Sequence, residues 1–187
     1  MSANTAENTI STEPPKLKLD LACGRVKQEG FFGVDINPNT HADLILNLEE
    51  YPWPWENNSV DEIHSAHFLE HVKDANKFME EVWRILKPGG IAHFVTPYYT
   101  SVRAWQDPSH IRAVSEHTYR YFTEKGRKEM ALEHYPNTCD FEIIKFDYNI
   151  MSPEWKGKSQ EAIQYAAIHF WNVIDDLIAH LKKPEKK

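Results

Sequence analysis

Residues 16–35 read KLKLDLACGRVKQEGFFGVD, and this stretch decides the fold. Leu17, Leu19 and Leu21 alternate with polar residues, the period of a β-strand. Ala22, Cys23 and Gly24 then make a small-residue turn over which a ligand can approach the backbone closely. A second apolar run, 31–35, ends in Asp35. A carboxylate at the end of a second strand can accept both hydroxyls of a ribose. These features imply a nucleoside-containing ligand at the carboxyl ends of a parallel sheet, and they leave open which one.

On the N-terminal side, residues 1–15 carry almost no large apolar side chains and read as a flexible tail. Residues 16–187 form one domain. On the C-terminal side, further strands are predicted at 42–47 and 60–65. A helix follows, capped by Asp74, with Phe78, Val82, Ile85 and Leu86 on its apolar face and Lys87 in its last turn. Pro88-Gly89-Gly90 stops it before a strand at 91–96. Short helices are predicted at 115–124 and 127–134, and a strand at 141–150. Residues 160–182 read as one long helix, with Ile163, Ala167, Phe170, Ile174, Leu177, Ile178 and Leu181 on one stripe. Strands alternating with crossovers give an α/β fold with a mostly parallel sheet of six or seven strands and a C-terminal helix.

Composition narrows the partners. With 187 residues and 41% hydrophobic residues the chain can bury a real core. A formal charge of -7 offers no global field for a nucleic-acid backbone, so nucleic acid is disfavoured as a partner. No run of about 18 apolar residues is present, so no membrane span is expected. Cys23 and Cys139 have no metal-ligand spacing, and a reduced, cytoplasmic protein is the expectation.

The order LDLACG, GVDI, VDEIHSAHFLEHV and EVWRILKPGG resembles class I S-adenosylmethionine-dependent methyltransferases. The resemblance runs from about residue 17 to 96 and continues loosely to 150. It implies a three-layer, Rossmann-like sandwich with a seven-stranded sheet and S-adenosyl-L-methionine over the ends of strands one, two and four. Carried onto this chain, Asp20, Ala22, Cys23 and Gly24 flank the methionine part and ribose. Asp35 holds the ribose hydroxyls, Ile36 lies against adenine, and Asn47 and Leu48 sit at its edge. Ser65 to His67 line the methyl-donor side. The loop after Gly24 is shorter than the family pattern, so Arg25 or Lys27 is expected at the carboxylate end of the cofactor. The long C-terminal helix is expected to cover an edge left by an incomplete last hairpin.

Two histidines are candidate bases. His67 is the nearest in sequence to the cofactor, and His110 lies in WQDPSHIR, on the side where an acceptor enters. A subset of the family carries a similar D-P-x-H-x-R element. Asp107, His110 and Arg112 there also fit a plain structural loop; as a site, Arg112 would hold an acidic group. His64, His67 and His71 lack a carboxylate pair to complete a metal site, so no metal is expected. Glu70 and His71 read as ties between strand and helix, and Trp53 and Trp55 as packing of their own loop. TPYY at 96–99 stands after the wrong strand for the N-P-P-Y element of DNA and glutamine N-methylation. The expected function is methyl transfer to an O or N atom of a small-molecule acceptor, with oligomeric state open. The alternatives are a non-catalytic S-adenosylmethionine-binding module and a nicotinamide-dependent oxidoreductase, which would need the G-x-G-x-x-G turn that is lacking here.

Overall fold

The structure is a computed structural model that describes residues 15–185. All but the last residue of the expected tail lies outside that range. In chain order the elements are β1 (Lys18–Leu21), β2 (Phe32–Asp35), β3 (Leu44–Ile45), β4 (Val60–Ala66), α1 (Ala75–Ile85), β5 (Leu86–Pro97), α2 (Glu116–Arg120), α3 (Glu124–Glu129), β6 (Glu142–Asn149), α4 (Gln160–His169) and β7 (Asp176–Lys182). They build one seven-stranded sheet of order β3-β2-β1-β4-β5-β7-β6. Strands β1 to β5 pair in parallel, and β7 runs antiparallel between β5 and β6.

The predicted long C-terminal helix is corrected. It ends at His169, and 176–182 is a central strand. Leu177, Leu181 and Ile178 fit a helical stripe, but Leu177, Ala179 and Leu181 also alternate at period two and are fully buried. The slot between β5 and β6 decides between them, because each strand there needs a partner for its backbone groups. The last hairpin is therefore complete. A second correction concerns LKPGG. The helix ends at Ile85, and Leu86 to Pro97 is strand, with an irregularity opposite Asp61 where Lys87–Gly90 is accommodated. Lys87 pairs with Asp61 at 2.7 Å rather than capping a helix.

Asp74 caps α1 by accepting from the Lys77 N–H at 3.0 Å. Phe78, Met79, Val82 and Ile85 recur every three or four residues and bury against Ala92, Phe94, Leu177 and Leu181 of the sheet. Burial of each large side chain contributes roughly 1.5–3 kcal/mol. Trp53 is 2% exposed and packs edge-on against Phe78, which is the loop-packing role expected of it.

The other face of the sheet is unlike the first. Among the described residues no helix connects β1 to β2, β2 to β3 or β3 to β4. The third layer is thus loop rather than helix; Phe31, for instance, lies edge-on to His64. The strands answer with polar side chains. Asp20, His64, His93 and His180 lie opposite one another across β1, β4, β5 and β7. His93 and His180 are in contact through their Nδ1 atoms at 2.7 Å, and His180 Nε2 reaches Asp147 at 2.9 Å.

Candidate active site at the carboxyl ends of β1, β2, β4 and β5

The first turn is built around Asp35. Its Oδ2 accepts from the Gly24 N–H at 2.9 Å and its Oδ1 from the Asn37 N–H at 2.8 Å. A carboxylate offers about four lone-pair positions, so the group is fixed in place and still able to accept two more bonds. Ala22 and Gly24 have φ of 58° and 56°. A Cβ added to Gly24 would meet nothing within 4 Å, so open space stands over the turn. Ile36, next to Asp35, is 62% exposed and offers an apolar platform. An open glycine turn, a fixed carboxylate and an exposed apolar neighbour suit the methionine, ribose and adenine parts of S-adenosylmethionine.

Other expected cofactor residues support this turn from behind. Asp20 is buried; its Oδ2 accepts from the Gln28 N–H at 2.7 Å and its Oδ1 contacts His64 Nδ1 at 2.8 Å. It shapes the loop and does not present itself above it. Cys23 is buried too. Burial, then Asp20 and Asp35, push its thiol up to about 11, so it is neutral near pH 7 and no nucleophile. Asn47 holds its own turn, accepting from the Glu49 N–H and donating to Glu50 Oε1. The Leu48 side chain is in the core, and its carbonyl accepts from Trp53 Nε1 at 3.1 Å. Ser65 is 1% exposed at the end of β4, with its hydroxyl unpaired among the described residues. Lys27 is committed to Asp43 at 2.7 Å, whereas Arg25 is exposed.

On the acceptor side, the two candidate bases meet at one carboxylate. His67 Nδ1 lies 3.5 Å and His110 Nε2 3.9 Å from Glu70 Oε1. His67 follows β4 at φ 54° and its side chain is 39% exposed; that of His110 is 9% exposed. The His71 and His110 rings pack edge-on at 4.6 Å. His64 stands apart, on the polar sheet face, so the His64-His67-His71 trio does not assemble. Arg112 is corrected as an anion holder. Its guanidinium donates to the Leu69, Val72 and Lys73 carbonyls and pins the turn that carries Glu70 and His71. Burial holds its pKa below the ordinary arginine value.

A cavity of about 320 Å³ opens at the same end of the sheet. Tyr98, Tyr99, Glu116, Tyr148, Ile163 and Ile174 are among its lining residues. The Tyr148 hydroxyl donates to Glu116 Oε1 at 2.7 Å and that of Tyr98 to the same oxygen at 3.3 Å. Burial first, and then Glu116, raise both phenols above their ordinary pKa. Tyr98, Tyr99 and Glu116 fall within residues 97–118, the stretch after the fifth strand where the sequence places much of an acceptor pocket, whereas Tyr148 and Ile163 come from distant segments with no shared motif. A larger hollow of about 610 Å³, by Asn58, Pro88 and Lys183, lies at the opposite end of the sheet.

Residues 19–94 match the family model of a methyltransferase domain. The fold is similar to that of an S-adenosylmethionine-dependent methyltransferase from Archaeoglobus fulgidus, with 19% identity and a TM-score of 0.59 over 90% of this chain and 86% of that one. Residues 19–94 are thus similar to a methyltransferase domain, on a fold shared with S-adenosylmethionine-dependent methyltransferases. A Mesorhizobium loti S-adenosylmethionine-dependent methyltransferase is similar at 15% identity and TM-score 0.52, covering 89% of this chain and 90% of that one. The YcgJ protein of Bacillus subtilis is similar at 15% and 0.53, covering 91% and 93%. No curated protein matched the chain. No helix among the described residues is long and apolar enough to cross a membrane.

Proposed function

We propose that this chain is an S-adenosylmethionine-dependent methyltransferase that acts on an oxygen or nitrogen atom of a small-molecule acceptor, with His67 as the base. The cofactor supplies a methyl group activated by its sulfonium charge. Asp35, the 22–24 turn and Ile36 would hold it, with Arg25 reaching its carboxylate. The observation that carries the reading is the convergence of His67 on Glu70 beside the end of β4. With Nδ1 turned toward Glu70, Nε2 of His67 is left to accept a proton. A contact of 3.5 Å is long, as such contacts are before a substrate closes them. Exposure favours His67 over His110 as the group an acceptor can reach.

The acceptor class follows from volume. A cavity of about 320 Å³ is at the lower end of small-ligand sites, which run from roughly 300 Å³ upward. Methyl-labelled S-adenosylmethionine and a fractionated extract test this. Label is expected in low-mass products, and H67A is expected to lower its transfer by about 10²–10⁴-fold with cofactor affinity unchanged. Label found only in protein or nucleic acid, or H67A at wild-type rate, would sink the proposal.

A further inference from the structure

We propose that Glu70, His71 and His110 form a binding site for a divalent transition-metal ion of the zinc class. One ligand atom from each residue lies within 4.8 Å of the others. Tetrahedral coordination with bonds of ~2.0–2.1 Å places ligand atoms ~3.3 Å apart. Glu70 Oε1 and His110 Nε2, at 3.9 Å, need only side-chain rotation to reach that spacing.

The carboxylate is the telling group. Glu70 is 1% exposed, and neither of its oxygens has a hydrogen-bond partner among the described residues. A carboxylate taken out of water without compensation costs several kcal/mol. Here its Oε1 faces His67 at 3.5 Å and His110 at 3.9 Å, with a ring nitrogen of His71 within 4.8 Å, and imidazoles are ligands as readily as they are bases.

The imidazoles are held as metal ligands are held. His110 Nδ1 lies 3.2 Å from the Ala104 carbonyl and donates to it, which leaves the Nε2 lone pair facing Glu70. His71 Nδ1 lies 3.1 Å from Ser109 Oγ, and that hydroxyl in turn donates to Asp107 at 2.6 Å. The chain of donors runs His71, Ser109, Asp107 and leaves His71 Nε2 as a lone pair. Tying the far ring nitrogen to a carbonyl or to a carboxylate-backed group fixes the tautomer that binds metal. Two imidazole nitrogens and one carboxylate suit zinc, with a fourth position open, and not magnesium, which takes oxygen ligands in octahedral geometry. Arg112 makes the turn rigid by binding three of its carbonyls.

His67 stands outside this donor set, with its Nδ1 at 3.5 Å from Glu70 Oε1. An ion there would bind an acceptor oxygen and ease its deprotonation. That role rests on the acceptor reading above, whereas metal binding does not.

The test uses the full chain, stripped with a chelator, dialysed, and titrated with Zn²⁺ by calorimetry and with Co²⁺ by visible absorption. Saturable binding of one ion per chain is expected, with the visible d–d bands of a low-coordinate Co²⁺ site. E70Q, which keeps the shape of the side chain, and H71N should each weaken Zn²⁺ binding by at least ~10-fold. H169N, at the exposed end of α4, should not change it. Zn²⁺ should also raise the melting temperature of the wild-type chain and not that of E70Q. Should E70Q fail to melt cooperatively, H71N carries the comparison. No saturable binding by the wild-type chain, or binding that survives the variants, overturns the site. No arm reads methyl transfer. A chain that binds zinc yet methylates nothing leaves the metal site standing, and an active chain that ignores zinc removes it alone.

Discussion

Ala22 sits at φ 58° in the turn that follows β1. A left-handed backbone costs a residue with a Cβ ~1–2 kcal/mol. His67 adopts φ 54° just past β4, the strand that pairs with β1, so both strained residues flank the same end of the sheet. Strain of this kind collects where a site requires it. A22G should raise stability, read as the midpoint of guanidinium unfolding, by up to ~1 kcal/mol; relief of the strain exceeds the ~0.4–1 kcal/mol that glycine adds to the unfolded chain's freedom. An unchanged or lower midpoint would contradict that account. At this scale the sequence shows residue types well and their partners poorly. Asp35 was readable because its place after a short strand determines its surroundings. Arg112 was not, because the carbonyls it binds lie some forty residues earlier and meet it only in the fold. The surroundings of Glu70 are legible only in part: His67 and His71 stand beside it in sequence, whereas His110 arrives from forty residues later.

Among the elements, the sheet has one apolar and one polar face, and the polar one answers to pH. His93 is half-buried on β5 against His180, with Glu62 at 3.4 Å. Burial first, then the charges of His180 and His64, hold its pKa below the ordinary 6.5, and Glu62 offsets only part of this. The unfolded chain therefore takes a proton below 6.5 that the folded chain still refuses. Stability from this pair is complete above pH 6.5 and is lost as the pH falls through the folded value. Melting temperatures from pH 7.5 to 5 should fall for the wild-type chain and fall less for H93Q. Parallel curves would show that other groups carry the effect. The polar face was legible only in part. The β4 pattern VDEIHS alternates plainly, but DLIAHLK in β7 fits a helix equally well until its neighbours are known. Boundaries near LKPGG misled because proline and glycine stop a helix and also open an irregular strand.

For the molecule as a whole, the cavity of about 320 Å³ exists only because β5, α2, β6 and α4 meet at one place. No segment of sequence contains it. The turn proposed for the cofactor is local, spanning 20–36, and so is legible in the sequence, whereas the cavity joins Tyr98 to Ile163 across 65 residues. This division has a consequence for function. If the cavity takes the acceptor, filling it should block transfer without touching the cofactor. Ile163 lies on α4, half-buried at the cavity wall and away from Asp35 and the 22–24 turn. I163W adds an indole to a space of about 320 Å³. S-adenosylmethionine affinity by calorimetry should match wild type, while kcat/KM for the labelled small-molecule product should drop at least ~10-fold, the loss expected when ~1.4 kcal/mol of acceptor binding is removed. Wild-type turnover by I163W would place the acceptor elsewhere, nearer the exposed side of His67. Equal loss of cofactor binding would mean that α4 supports the whole sheet end and not the cavity alone.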